Sequence, residues 1–481
     1  MSTDPPADGF RAELGRLVRQ LLEESHDEAN PLSAAIQEHV GAEVSDLAVH
    51  GEELPSFELA NLQLGLDAAL ARPGFEVRVL GLAGQGRRFS DVNLSDLLTG
   101  THFGLGPPEY VHAPVAPGRT LACLAWAILL VTSPEGPLVV FVRRGDEHGP
   151  VPGLMVQAVG REPDTAPRFL ADLRRLMAEH DVFRGQVITI EADRRGGSRV
   201  VFLDRPQMGR GELVLPEGLL ERVERHVVAP TEHREQLLAR RRHLGRGLLL
   251  WGPPGTGKTH TVRYLTGRLT DATVIILSGA SLGMVGAFGN LARRLAPAVV
   301  VLEDVDLIAH ERTFGPFGTS PTLFELMNEM SGLAEDADVA FVLTTNRPDT
   351  LEPALAARPG RVDLAVEIPL PDAAARRRLL ELYAGGLELE GVDLDAVVAR
   401  TEGMTASFFK ELLRKAALAS VDADRVTVAR ADLDAALDEL LHDTAALTRV
   451  LLGSGEPGGT AAPSPHAWMQ GGGSLRVERL D

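Results

Sequence analysis

Gly252-Pro-Pro-Gly-Thr-Gly-Lys-Thr259 decides the fold of this chain through what flanks it. The apolar run Gly247-Leu-Leu-Leu-Trp251 reads as a buried strand before it, and a helix-like stretch follows. A glycine-rich loop between a strand and a helix start turns successive backbone N–H groups toward one point, where the helix dipole adds positive potential. Lys258 is then placed to reach β- and γ-phosphates, and the Thr259 hydroxyl to ligate Mg²⁺. The segment is expected to bind ATP or GTP, with Pro254, Gly255, Thr256, Gly257, Lys258, Thr259 and His260 contacting the nucleotide.

Two further apolar runs build outward from this loop. Pro297-Ala-Val-Val-Val-Leu302 has the length of a central parallel strand and ends in Glu303-Asp304-Val305-Asp306. Carboxylates at the C-terminal end of such a strand face the nucleotide crevice. Glu303 is expected to hold the Mg²⁺ shell, and Asp304 to polarise the attacking water as general base. Asp306 reads equally well as a cap of the next helix. Val339-Ala-Phe-Val-Leu343 then leads into Thr344-Thr-Asn346, and Arg358-Pro-Gly-Arg361-Val-Asp363 follows.

Four motifs in this order resemble an AAA-type ATPase over about Leu215 to Leu441. The resemblance implies an α/β fold, a P-loop NTPase with a doubly wound parallel sheet and a helical lid, using ATP and Mg²⁺. It implies that Asn346 orients the lytic water and that Arg358 and Arg361 are arginine fingers reaching a neighbouring subunit's nucleotide, hence a homo-oligomer, in all expectation a ring. A planar guanidinium suits charge developing on γ-phosphate oxygens. Two departures stand out. The acidic pair usually reads Asp then Glu, whereas Glu303-Asp304 shortens the base by one methylene, which is expected either to slow hydrolysis or to require a shifted water. Between Gly279 and Pro297, where protein-threading rings carry an aromatic pore loop, this chain has only Ser281-Leu-Gly-Met-Val-Gly-Ala-Phe288. Both features are similar to the mitochondrial AAA subgroup that moves a folded iron–sulfur protein across the inner membrane.

At 481 residues and 44% hydrophobic, the chain has room for about three domains with sizeable cores. A net charge of −19 disfavours nonspecific binding to nucleic acid or an anionic membrane, so neither partner is expected. The basic stretch Arg240-Arg-Arg242 reads as a helix end with cations near its C-terminal dipole. The single cysteine, Cys123, excludes an intramolecular disulfide and points to the cytoplasm; it lies in the apolar run Leu121–Val131, where packing is expected rather than reactivity. That run is too short to span a bilayer, and with Ser133-Pro-Glu-Gly-Pro137 and Leu138–Val142 it reads as a buried hairpin. The acidic opening Met1-Ser-Thr-Asp-Pro-Pro lacks a following apolar region, so no secretory leader is expected.

Along the chain, 1–56 reads as helical and 57–214 as an α+β amino-terminal domain that binds a client or adaptor. A large ATPase domain is expected over 215–371, a helical lid over 372–441 and a Gly/Pro/Ser-rich disordered tail over 442–481. The strand-like runs Gln186–Glu191 and Arg199–Leu203 fall in the amino-terminal domain by this division, leaving five parallel strands for the ATPase sheet. In the lid, Tyr383 and the Gly403–Ser407 turn read as packing, though relatives by this resemblance contact the nucleotide there. His102, His112 and His148 lack metal-ligand spacing, and no His-Glu-x-x-His protease motif occurs. The function expected is ATP hydrolysis coupled to remodelling or moving a protein partner. The alternative is a nucleotide-dependent switch or scaffold with negligible turnover; a DNA-handling motor would need a basic stripe that is missing.

Overall fold

The computed structural model describes residues 31–42, 47–83, 92–99, 104–145, 153–192, 198–309, 337–348 and 362–442. The part of the expected helical segment before Pro31, both candidate finger arginines and the expected carboxy-terminal tail lie outside these residues.

The amino-terminal part is built on an antiparallel sheet. Its strands are β1 (His50–Leu54), β2 (Glu76–Ala83), β3 (Gly104–Gly106), β4 (Glu109–Ala116), β5 (Arg119–Ser133), β6 (Gly136–Arg144) and β7 (Leu154–Gly160). They run in the order β1-β7-β6-β5-β2-β3, and among the described residues β4 pairs only β5. The β5–β6 hairpin turns at Ser133–Gly136, as the Ser-Pro-Glu-Gly stretch requires. Both faces of the hairpin are covered, which explains its unbroken apolar run. Ala127, Leu129 and Val131 pack against the helices Leu59–Leu70 and Thr165–Glu179, while Trp126, Ile128 and Leu130 pack with the helix Pro31–Val40. Cys123 is fully buried, and burial pushes its thiol up to about 11. No helix among the described residues is long and apolar enough to cross a membrane.

The second sheet holds β8 (Val187–Ala192), β9 (Ser198–Leu203), β10 (Arg246–Trp251), β11 (Thr273–Ser278), β12 (Ala298–Glu303), β13 (Val339–Thr345) and β14 (Leu364–Glu367). Its order is β14-β10-β13-β12-β11-β8-β9. The five strands expected from sequence are present, parallel and wound with helices between them. The α/β doubly wound layout therefore holds, but the sheet is larger than expected. Strand β8 adds in parallel beside β11, and β9 returns antiparallel beside β8. These two strands, read from sequence with the amino-terminal domain, hydrogen-bond instead to the nucleotide-type sheet; Val274 N–H donates to Gln186 O at 2.8 Å just before the pairing begins. The helices Ala373–Tyr383, Leu394–Arg400, Ala406–Asp422 and Arg430–His442 enclose a separate small core around Phe408, Phe409 and Leu412.

The two parts meet at Phe57. Its ring lies 6.1 Å from that of Phe183 and 5.6 Å from that of Phe288, which belongs to the helix Val285–Arg294 after β11. Phe288 is fully buried in this contact and therefore points into the core rather than toward solvent.

Candidate nucleotide-binding site

Strand β10 ends at Trp251, and the chain turns through Gly252–Gly257 into the helix Lys258–Arg268. Two glycines fix this turn. Gly252 has φ +146°, and a Cβ there would sit 2.2 Å from the Ile368 carbonyl oxygen. Gly255 has φ +75°, and its Cβ would meet Ser407 Oγ at 2.2 Å. The loop is thus pressed between the segment after β14 and the turn that opens the helix Ala406–Asp422. Ser407 N–H donates to Gly255 O at 3.2 Å, so the small helical unit touches the loop directly. The Gly403–Ser407 turn, read from sequence mainly as packing, thereby joins the site.

Within the loop, the Thr256 hydroxyl donates to Pro253 O at 2.9 Å. Lys258 Nζ donates to Gly252 O and Pro253 O, each at 2.8 Å, and the side chain is only 6% exposed. Burial lowers its pKa, opposed by the charges of Asp304 and Asp306 across the crevice. Burying a cation on carbonyls alone is costly, and an anionic partner at this position would offset that cost. His260, half-buried, is held below the usual histidine range by burial and by the positive charges of Arg263 and Lys410. Pro254 is exposed at the loop's tip, and Tyr383 is partly buried against the lid core.

Glu303 ends β12 opposite the helix start. Burial raises its carboxyl pKa, a hydrogen bond from the Thr259 hydroxyl opposes that rise, and the charge of Asp304 adds to it. Glu303 Oε1 is buried with no hydrogen-bond partner among the described residues. Leaving a buried acceptor unsatisfied costs about 1–3 kcal/mol. A hydroxyl and an orphaned carboxylate oxygen side by side are hard oxygen donors of the kind Mg²⁺ takes beside phosphate, so these residues fit that ion.

Asp304 is exposed and adopts φ +52°, a left-handed conformation uncommon outside glycine. Its N–H donates to Thr344 Oγ1 at 3.0 Å, and its Oδ1 accepts from Asn346 Nδ2 at 3.4 Å. Asp306 begins a short helix, yet its carboxylate is turned to another task. Buried Oδ1 accepts from Thr345 Oγ1 at 2.9 Å and from Asn346 N–H at 3.3 Å. It ties the end of β12 to the end of β13 and fixes where Asn346 stands. The sequence shows the Asp and the Thr-Thr-Asn separately; their pairing follows from the parallel register Leu302↔Leu343, which a linear reading does not reveal. Lys258, Thr259, Glu303, Asp304 and Asn346 converge on one crevice at the C-terminal ends of β10, β12 and β13. Arg358 and Arg361 lie outside the described residues.

Residues 248–370 match the family described as ATPase family associated with various cellular activities (AAA), and that segment is an AAA domain. The chain is 34% identical over 209 residues to a proteasome-activating nucleotidase of Pyrococcus horikoshii, covering 41% of this chain and 52% of the relative. It is 40% identical over 210 residues to ATP-dependent zinc metalloprotease FtsH 2 of Sphaerobacter thermophilus, covering 41% and 32%. It is 35% identical over 211 residues to the 26S proteasome regulatory subunit 6B homolog of Encephalitozoon cuniculi, covering 41% and 54%. The chain thus spans between about a third and about half of the length of these curated relatives.

Proposed function

We propose that this chain hydrolyses ATP within a homo-oligomeric ring and couples turnover to remodelling or moving a protein partner. The observation that carries the reading is the buried, unpartnered Glu303 oxygen beside the Thr259 hydroxyl, with Lys258 on one side and Asp304 and Asn346 on the other. Lys258 exchanges its two carbonyl partners for β- and γ-phosphate oxygens when nucleotide enters. Thr259 and Glu303 Oε1 would hold Mg²⁺, which when bound neutralises charge developing on the phosphate oxygens. Asn346 orients a water against the γ-phosphorus. Asp304 takes that water's proton as the new P–O bond forms and the bond to ADP breaks, giving ADP and inorganic phosphate. Arg358 and Arg361 act on the neighbouring subunit's γ-phosphate, which makes the ring necessary for turnover.

The AAA-domain relatives support this reading, since their names tie that module to nucleotidase activity, to the proteasome and to ATP-dependent proteolysis. The burial of Phe288 favours work on folded or assembled partners, as in the mitochondrial subgroup, with the amino-terminal part making the contacts. Phosphate release by the purified protein tests the proposal: Lys258→Ala is expected to lose ATP binding, and Asp304→Asn to keep it while losing turnover. Mixing Arg358→Ala with Asp304→Asn protein is expected to restore part of the activity, because mixed rings contain intact site–finger interfaces. ATP binding by the wild-type ring without phosphate release would leave only the switch reading.

A further inference from the structure

Arg205, two residues past the end of β9, directs its guanidinium at four main-chain carbonyls. Its Nη1 donates to Thr266 O and Leu269 O, each at 2.7 Å, and its Nη2 to Gly185 O at 3.0 Å and Ala272 O at 2.9 Å. Two of these carbonyls lie at the end of the helix Lys258–Arg268, whose first residues are Lys258 and Thr259. The last carbonyls of a helix lack partners within it, and the helix dipole makes that end favour a cation. Gly185 lies just ahead of β8 and Ala272 just ahead of β11. One guanidinium therefore fastens the far end of the phosphate-loop helix to the starts of two strands of its sheet.

The helix is shaped to receive this contact. Gly267 leaves room where Pro206 passes, for a Cβ there would lie 2.6 Å from Pro206 O. Glycine inside a helix is less stable than alanine, so its use here fits a close approach of two backbones. Arg205 is partly buried, and four charge-assisted bonds offset the loss of water around its guanidinium. The segment that carries it also joins the two parts of the chain. Phe202 of β9 stacks on Phe183 at 5.8 Å, and Phe183 meets Phe57 at 6.1 Å.

We infer that Arg205 is a positioning residue for ATP hydrolysis: it sets where the helix Lys258–Arg268 stands along its own axis, and so where Lys258 and Thr259 meet the phosphates and Glu303. The inference rests on the proposed ATPase reading. A helix of 11 residues is a rod about 16 Å long, so a shift at one end along the axis is a shift at the other. Val262 and Leu265 pack the flank of this helix into the core, but apolar burial is non-directional. The four bonds at its end supply the direction. Misplacing a reacting group by about 1 Å costs on the order of 10²-fold in rate, so small axial slack at Lys258 and Thr259 is enough to matter.

The test measures ATP affinity and steady-state phosphate release with the full chain, both at a temperature where circular dichroism shows the variant folded. Arg205→Met, which keeps the stem and removes the donors, is expected to weaken ATP binding about tenfold and to lower kcat/KM by at least as much. Arg205→Lys keeps the charge without the planar fork, so its losses are expected to be smaller, and it supplies the measurement if the methionine variant does not fold. Arg294→Met removes another guanidinium, one hydrogen-bonded to Glu58 instead of to this helix, and is expected to lower stability while leaving both constants at wild-type values. Wild-type affinity and kcat/KM in every folded Arg205 variant, or losses no larger than those of Arg294→Met, overturn the inference and leave Arg205 a clamp for stability alone. ATP binding without phosphate release by the wild type counts against the ATPase reading, while the affinity measurements still decide whether Arg205 positions the loop.

Discussion

Arg294 and Glu58, 236 residues apart in sequence, meet at 2.7 Å where the end of the helix Val285–Arg294 reaches the turn before the helix Leu59–Leu70. Arg294 also lies 2.8 Å from Asp181 Oδ2, close enough for an ion pair though off the direction of a good hydrogen bond. Asn61 Nδ2 bridges the same carboxylates, at 2.7 Å to Glu58 and 3.2 Å to Asp181. Both carboxylate side chains are almost fully buried, at 4% and 1% exposure, while Arg294 is 38% exposed. One guanidinium thus holds two buried acids. Removing it leaves them uncompensated, a loss of the kind that costs about 3–5 kcal/mol for a fully buried pair, reduced here by partial solvation of the arginine. We expect Arg294→Met to lower stability by about 2 kcal/mol in chemical denaturation, and Glu58→Gln in the same background to recover part of it. An unchanged unfolding midpoint in the single variant would show that the contact contributes nothing.

Glu303 gives a prediction in pH. Its pKa is raised, by burial first, so the folded state holds the proton more tightly than the unfolded state does. The protonated group contributes stability fully below its ordinary value of 4.5, and that contribution is lost as pH rises through the folded-state value. Without nucleotide, Glu303→Gln is therefore expected to be more stable than wild type at neutral pH, with the advantage shrinking as pH falls toward 4.5. Adding Mg²⁺ and ATP is expected to stabilise the wild type more than the variant. Thermal unfolding across pH checks both arms, and a variant less stable than wild type at neutral pH without nucleotide contradicts the sign.

Much of the nucleotide-type sheet was legible because its central strands, covered on both faces, are short unbroken apolar runs, each followed by a polar motif. The loop after β10, the acids after β12 and Asn346 after β13 converge because parallel strands bring their C-terminal ends to one edge. Strands β8 and β9 were misassigned for a physical reason. Their hairpin follows the antiparallel strands of the amino-terminal sheet, and nothing local signals that β8 pairs with Val274–Ile276, far along the chain. The Arg294–Glu58–Asp181 cluster was equally hidden: an arginine in a helix's last turn and a glutamate before another helix each look like ordinary solvated charges. Asp306 was half-read, since a carboxylate opening a helix looks like a cap whether or not another strand claims its oxygens.

Asp304 stores a conformational cost that substitutions can measure. At φ +52°, a residue with a Cβ is strained by about 1–2 kcal/mol, less for Asn and Asp, whose side chains tolerate this region. Asp304→Asn is expected to fold as well as wild type, Asp304→Ala to be about 1 kcal/mol less stable, and Asp304→Gly to match or exceed the alanine variant. All three are expected to bind ATP and release little phosphate. Comparing their unfolding midpoints separates the backbone effect from the chemistry. An alanine variant more stable than the glycine variant would mean the left-handed turn is not retained in solution.

Phe288 bears on how force would reach a partner. A threading ring grips an extended chain with an aromatic side chain exposed at its axis, and Phe288 is the aromatic residue nearest that place in this sequence. Yet it is fully buried, 5.6 Å from the Phe57 ring, in the contact that joins the two parts. Phe288→Ala is therefore expected to act as a core deletion, costing about 3–5 kcal/mol, with Phe288→Leu costing much less. Met284, half-buried against the same core, offers little surface for gripping. Met284→Ala is expected to leave ring assembly, ATP turnover and partner processing near wild type, after a small stability loss. A comparison of processing with a folded and a permanently unfolded partner completes the test: the folded one is expected to be the better substrate. Should Met284→Ala abolish processing while assembly and turnover survive, the ring grips extended chain and the folded-partner reading falls.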